Sequence, residues 1–164
     1  MIGSRTAATR LVLIGLVLGA VAALPTRAFA KPDPFMGTWV LNLAKSTFSP
    51  GPAPKIQTAI YKPAAGGVKV IVTGTDGEGK AIKTQYTAKF DGKDYPVTGN
   101  ADYDAVVLKR VDRQTMQFTR KKGGKVVQTG TITVSMNGKT RTVTADGTNA
   151  KGARIHNVVV YDKK

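Results

Sequence analysis

Ile82-Lys83-Thr84-Gln85-Tyr86-Thr87-Ala88-Lys89-Phe90 decides the fold class. Ile82, Thr84, Tyr86, Ala88 and Phe90 share one face of an extended chain, while Lys83, Gln85, Thr87 and Lys89 share the other. Period-two alternation of this kind marks a half-buried antiparallel strand, and the Thr and aromatic content supports it. The same pattern spreads outward in both directions. Val68, Val70 and Val72 alternate with Lys69, Ile71 and Thr73 before it. After it, Val106, Leu108 and Arg110 alternate with Val107, Lys109 and Val111, and Gly130, Ile132, Val134 and Met136 alternate with Thr131, Thr133 and Ser135. Turn dipeptides punctuate these runs: Gly66-Gly67, Asp76-Gly77, Asp91-Gly92, Gly99-Asn100, Gly123-Gly124, Asn137-Gly138 and Asp146-Gly147. Such pairs supply the positive φ that tight hairpins require. No helical stripe of useful length follows Lys31. The expectation is an all-β chain, a meander of about eight to ten strands. Closing the meander into an antiparallel up-and-down β-barrel disposes of its exposed edges.

The first expected strand runs from Trp39 to Leu43 and the second from Ile56 to Lys62. Between them, Ser49-Pro50-Gly51-Pro52-Ala53-Pro54 favours an extended path, as a rigid surface connection or a lid over one barrel end.

Upstream lies an address. Arg5 and Arg10 precede the apolar run Leu11 to Leu24, Pro25 breaks it, and Ala28-Phe29-Ala30 places small residues ahead of Lys31. That order is a secretory signal peptide over residues 1–30, leaving 31–164 as the mature domain. The apolar run would span about 21 Å as a helix, short of the roughly 30 Å of a bilayer core, so no membrane anchor is expected after cleavage. An exported protein, in the periplasm or outside the cell, does not meet intracellular nucleic acid.

Across 164 residues, 25 Lys+Arg stand against 10 Asp+Glu, a net charge of +15, with one His and no Cys. The leader holds Arg5, Arg10 and Arg27, so the mature 134 residues keep 22 basic and 10 acidic groups, net +12. The absence of Cys excludes disulfides and thiol chemistry, and one His excludes an imidazole-rich zinc site. No cofactor and no metal is expected. No nucleophile elbow, phosphate loop or dinucleotide fingerprint occurs in the mature chain, so the sequence does not read as an enzyme. Ser135 and His156 could form a nucleophile–base pair, but nothing in the sequence activates or orients it. Asp91, Asp94, Asp102 and Asp104 crowd around Tyr95 to Thr98, where turn hydrogen bonding accounts for them.

Gly37-Thr38-Trp39, with Asp33-Pro34-Phe35-Met36 before it, resembles the opening of the calycin superfamily of lipocalins, fatty-acid-binding proteins and avidins. Asp102-Tyr103 is faintly similar to a second lipocalin motif. The mature chain as a whole looks like small exported bacterial lipocalin-like proteins of unassigned function. The resemblance implies a barrel whose base is closed by Trp39 and whose interior takes a small apolar molecule. Streptavidin-type proteins line their pocket with several tryptophans, and here Trp39 stands alone. Nitrobindin-like haem barrels share the opening and use a late His, but Val40-Leu41-Asn42-Leu43 replaces their Gly-rich continuation.

Within such a barrel, Tyr86, Phe90, Leu108, Met116, Phe118, Ile132 and Val134 are the expected ligand walls. Arg110 shares the inward face of Leu108, as Arg120 shares that of Phe118. An inward guanidinium needs a carboxylate, water, strand-end access to solvent, or the anionic headgroup of a ligand. The expected partner is therefore a small hydrophobic or amphiphilic molecule. The outward Lys69, Lys83, Lys89 and Lys109, with the Arg120 to Lys125 hairpin, suggest a second partner class, an anionic envelope polymer or headgroups. A packed structural barrel without ligand is the third alternative.

Overall fold

The computed structural model describes residues 31–164; the expected signal peptide lies outside the described residues. Ten antiparallel strands follow in sequence: β1 (Gly37–Leu41), β2 (Ile56–Ala64), β3 (Gly67–Thr75), β4 (Ala81–Lys89), β5 (Tyr95–Thr98), β6 (Ala105–Arg110), β7 (Thr115–Lys122), β8 (Lys125–Val134), β9 (Thr140–Thr148) and β10 (Arg154–Lys163). Each pairs with its neighbour in sequence, and β1 pairs with β10, so the sheet closes as an up-and-down barrel. Trp39 lies opposite Lys163 and Leu41 opposite Tyr161 across that closing seam. Among the described residues no helix is long and apolar enough to cross a membrane; a single 3₁₀ turn follows β1 at Leu43–Lys45.

Alternation sets the two faces. Val68 and Val70 of β3, Thr84 and Ala88 of β4, Val106 and Leu108 of β6, and Met116 and Phe118 of β7 are buried, with exposed or half-exposed residues between them. Each fully buried Val, Leu, Met or Phe contributes roughly 1.5–3 kcal/mol, which allows a Cys-free domain of this size to hold together. At one end, the base, Trp39 is fully buried and its Nε1 donates to the Phe35 carbonyl at 2.9 Å. The turn that carries Phe35 is closed by Met36 N donating to Asp33 O.

Several element boundaries differ from the expectation. β1 starts at Gly37 and ends at Leu41, because Asn42 accepts from Lys45 N and starts the 3₁₀ turn. β8 stops at Val134; Met136 lies in the turn beyond it, 88% exposed, and does not share the inner face. Asp146-Gly147 is no turn: both residues lie within β9, and the chain reverses at Asn149–Gly152. Gly147 is required because a Cβ there would overlap the Val127 carbonyl oxygen of β8.

Candidate ligand-binding interior

The eight nominated residues fall on the inner face. Leu108, Met116, Phe118, Ile132 and Val134 are buried, and Tyr86 and Phe90 are partly exposed and packed against them. They form one wall because β6, β7 and β8 are consecutive neighbours: Leu108 lies opposite Phe118, Met116 opposite Ile132, and Phe118 opposite Gly130. Gly130 makes room for the Phe118 ring, since a Cβ there would come within 2.6 Å of Phe118 Cζ.

Arg110, the eighth, finds its counter-charge within the chain. Its Nη2 lies 2.7 Å from Asp33 Oδ2, and its guanidinium stacks over the rings of Phe35 and Phe90 at the base. Arg120 donates to Gln128 Oε1 at 2.8 Å and covers Tyr103 and Phe118. Gln128 in turn donates to the Thr148 carbonyl.

A polar-aromatic group that sequence reasoning passed over stands beside this wall. Arg141 of β9 is 1% exposed and faces the rings of Tyr161 (4.3 Å), Tyr61 (4.5 Å) and Trp39 (5.2 Å). The Tyr161 hydroxyl donates to Gln57 Oε1. Burial is the main cause pushing the Tyr161 hydroxyl up to about 12; Arg141 opposes it, while Tyr61 adds to it. Burial likewise raises Tyr86 well above the usual tyrosine value, with Tyr61 and Tyr103 contributing. Burial raises Tyr103 too. These phenols stay protonated across the physiological range, and the single hydroxyl proton of Tyr161 is committed to Gln57.

The end opposite the base is crossed by loops. Ala150 N, in the β9–β10 loop, donates to Asp102 Oδ1 of the β5–β6 loop at 2.7 Å. In the same loop Lys151 reaches Glu78 of the β3–β4 loop at 3.2 Å. Lys80 and Lys151 together hold the Glu78 carboxyl below its ordinary range. The Pro-rich segment runs beside this span. Ser49 N and O bond to Asn157 and His156 of β10, Thr47 bridges to Val158, and Pro52 packs on Gly77. It lines the seam where β1 stops short, and the β9–β10 loop makes the crossing contacts.

The other candidates are placed apart. Ser135 Oγ donates to Asn137 Oδ1 in the base turn between β8 and β9. His156 points outward from β10, its Nδ1 2.6 Å from Asp146 Oδ1, far along β9 from that turn. The aspartates serve the backbone and nearby lysines: Asp91 accepts from Lys93 N, Asp102 from Ala150 N, Asp104 from Gly123 N, and Asp94 pairs with Lys121. Of two surface clefts of about 360 and 470 Å³, the smaller lies apart from the interior group beside Gln128, Asp146 and Ile155, and the larger is lined by Phe90 and Phe118 together with Asp91, Lys109 and Gln117.

No family model and no curated protein matches the chain. Among solved structures it is similar to a redesigned β-barrel, mFAP1, bound to DFHBI, at 15% identity over 79% of this chain and 95% of that one, with a TM-score of 0.41.

Proposed function

We propose that the protein is exported and binds a small apolar or amphiphilic molecule inside the barrel, without catalysing a reaction on it. The observation that carries this reading is the inner wall. Leu108, Met116, Phe118, Ile132 and Val134 form a continuous apolar surface, and the inward-facing Tyr86, Gln57 and Arg120 beside it keep part of their area accessible. An apolar wall with a few convergent polar groups is the usual composition of a small-molecule site. The separation of Ser135 from His156, and the engagement of the aspartates by backbone amides and lysines, support binding over catalysis. Export rests on the basic, apolar and Ala-Phe-Ala order of residues 1–30.

One observation favours a second reading, an anionic-polymer surface. Lys62 stands directly opposite Lys69 across β2 and β3, with Lys83 and Lys89 exposed on the same outer face. Like charges so placed repel unless an anion lies over them. The β7–β8 hairpin contributes less than its sequence suggests, because Lys121 and Lys122 pair with Asp94 and Asp104. Native mass spectrometry of the protein purified from its own cells, with organic extraction of retained material, tests both. A stoichiometric small molecule is the expected result. A bare polypeptide mass, with retention on heparin lost at moderate salt, supports the outer-face reading instead.

A further inference from the structure

Two hairpin turns lie side by side at the base of the barrel, and each holds an apolar side chain out of the fold. The β8–β9 turn, residues 135–139, is closed by Gly138 N donating to Ser135 O and by Asn137 Oδ1 accepting from Ser135 Oγ and Lys139 N. The Met136 side chain takes no part in that bonding and is 88% exposed. The β6–β7 turn, residues 111–114, adjoins it, Gln114 O accepting from Val134 N at 2.8 Å, and carries Val111, 54% exposed. Tight turns ordinarily present Gly, Asn, Asp or Ser.

Cations surround the two tips. Arg113 donates to the Pro32 carbonyl, which brings Lys31 to the β6–β7 turn, and Lys139 O accepts from Lys163 N, which brings Lys164 to the β8–β9 turn. Lys31, Arg113, Lys139 and Lys164 are all exposed, and among the described residues none lies within ion-pair distance of a carboxylate. The acids of the same segments are engaged within the fold: Asp33 by Arg110, and Asp112 Oδ1 by the amides of Gln114 and Thr115 at 2.7 Å. A soluble polyanion would satisfy these cations and leave Met136 and Val111 in water. An anionic bilayer satisfies both, because its headgroups attract the cations and its acyl boundary takes the apolar tips.

We infer that the base of the barrel docks on a membrane surface rich in anionic lipid, with Met136 and Val111 entering the headgroup boundary. Docked so, the barrel holds its crossing loop, Asn149–Ala153, toward water. The contact uses the base turns, not the outer-wall Lys62 and Lys69, and does not depend on a ligand in the interior.

The test is sedimentation of the exported protein with vesicles of phosphatidylcholine, alone or mixed equally with phosphatidylglycerol, with heparin retention measured in parallel. Mixed vesicles are expected to bind at least about tenfold more tightly than phosphatidylcholine alone, less so as salt rises. Replacing both tips, Met136→Ser with Val111→Ser, is expected to weaken that binding about tenfold and leave heparin retention unchanged. Failure of the mixed vesicles to bind overturns the inference, as does equal binding to phosphatidylcholine alone. Vesicle binding that the double substitution leaves unchanged overturns it in favour of a soluble-polyanion surface. Orientation is read separately, and without the double substitution. The chain has no Cys, so an environment-sensitive fluorophore on Met136→Cys reports that position alone. Its emission is expected to shift to the blue on mixed vesicles, while the same fluorophore on Val126→Cys, 58% exposed at the opposite end, does not respond. An equal response at both positions overturns docking through the base.

Discussion

Gly130 shows how a single missing side chain shapes the interior. The Phe118 ring lies over it, and the space a Cβ would need is shared with the Thr144 carbonyl oxygen of β9. Gly130→Ala must therefore push the ring or the β8–β9 ladder aside, a loss of about 1–3 kcal/mol by overpacking. A lowered denaturant midpoint with unchanged slope is the expected outcome; an unchanged midpoint would show that both the ring and the β8–β9 ladder yield freely. The residue scale also shows where sequence reading stopped short. Alternation placed Arg110 and Arg120 inward, and the same test applied to Arg141-Thr142-Val143-Thr144-Ala145 puts Arg141 on the face of Val143 and Ala145. That signal was present in the sequence. What the sequence did not carry was the distinction between these arginines, because Asp33 is 77 positions from Arg110 and only the fold brings them together.

At the scale of elements, the turns were legible where a glycine reverses the chain and misleading where it permits close strand approach. Asn137-Gly138 and Asp146-Gly147 have similar chemistry, yet the first makes the β8–β9 turn and the second lies within β9 against Val127. The Pro-rich segment was likewise readable as extended, but its docking on β10 depends on Asn157 and His156, more than a hundred positions away. The loop Asn149–Ala153 spans the end of the barrel through Asp102 and Glu78. Asp102→Ala removes the acceptor of Ala150 N in an exposed setting. Global stability should change by no more than about 1 kcal/mol, while hydrogen exchange at Ala150 accelerates and ligand association speeds up. Unchanged exchange at Ala150 would mean the crossing loop is held by other contacts.

At the scale of the whole molecule, the buried phenols link stability to alkaline pH. Tyr161 ionises near 10 in an unfolded chain and at about 12 in the fold. Between those values the unfolded state has released a proton that the native state retains, so stability falls as pH rises. The raised Tyr86 acts in the same direction. The contribution is fully present below about pH 10 and lost as pH climbs through about 12. Denaturant midpoints should hold steady up to about pH 10 and then drop, in step with tyrosinate absorbance. A flat profile to pH 12 would place Tyr161 in contact with solvent. All-β class and meander topology were legible from the alternation; closure was an inference about edges, and its register, Trp39 against Lys163, came only from the structure.

That closing seam has a consequence for how the molecule comes into being. β1 and β10 are the first and last strands of the domain, so every other pairing can form in order of synthesis while this one waits for the final strand. Until Lys163 reaches Trp39, the nascent chain is an open ribbon with two sticky margins, a state prone to joining copies of itself. The fold is completed when β1 pairs with β10, the one ladder of the described barrel that joins strands distant in sequence.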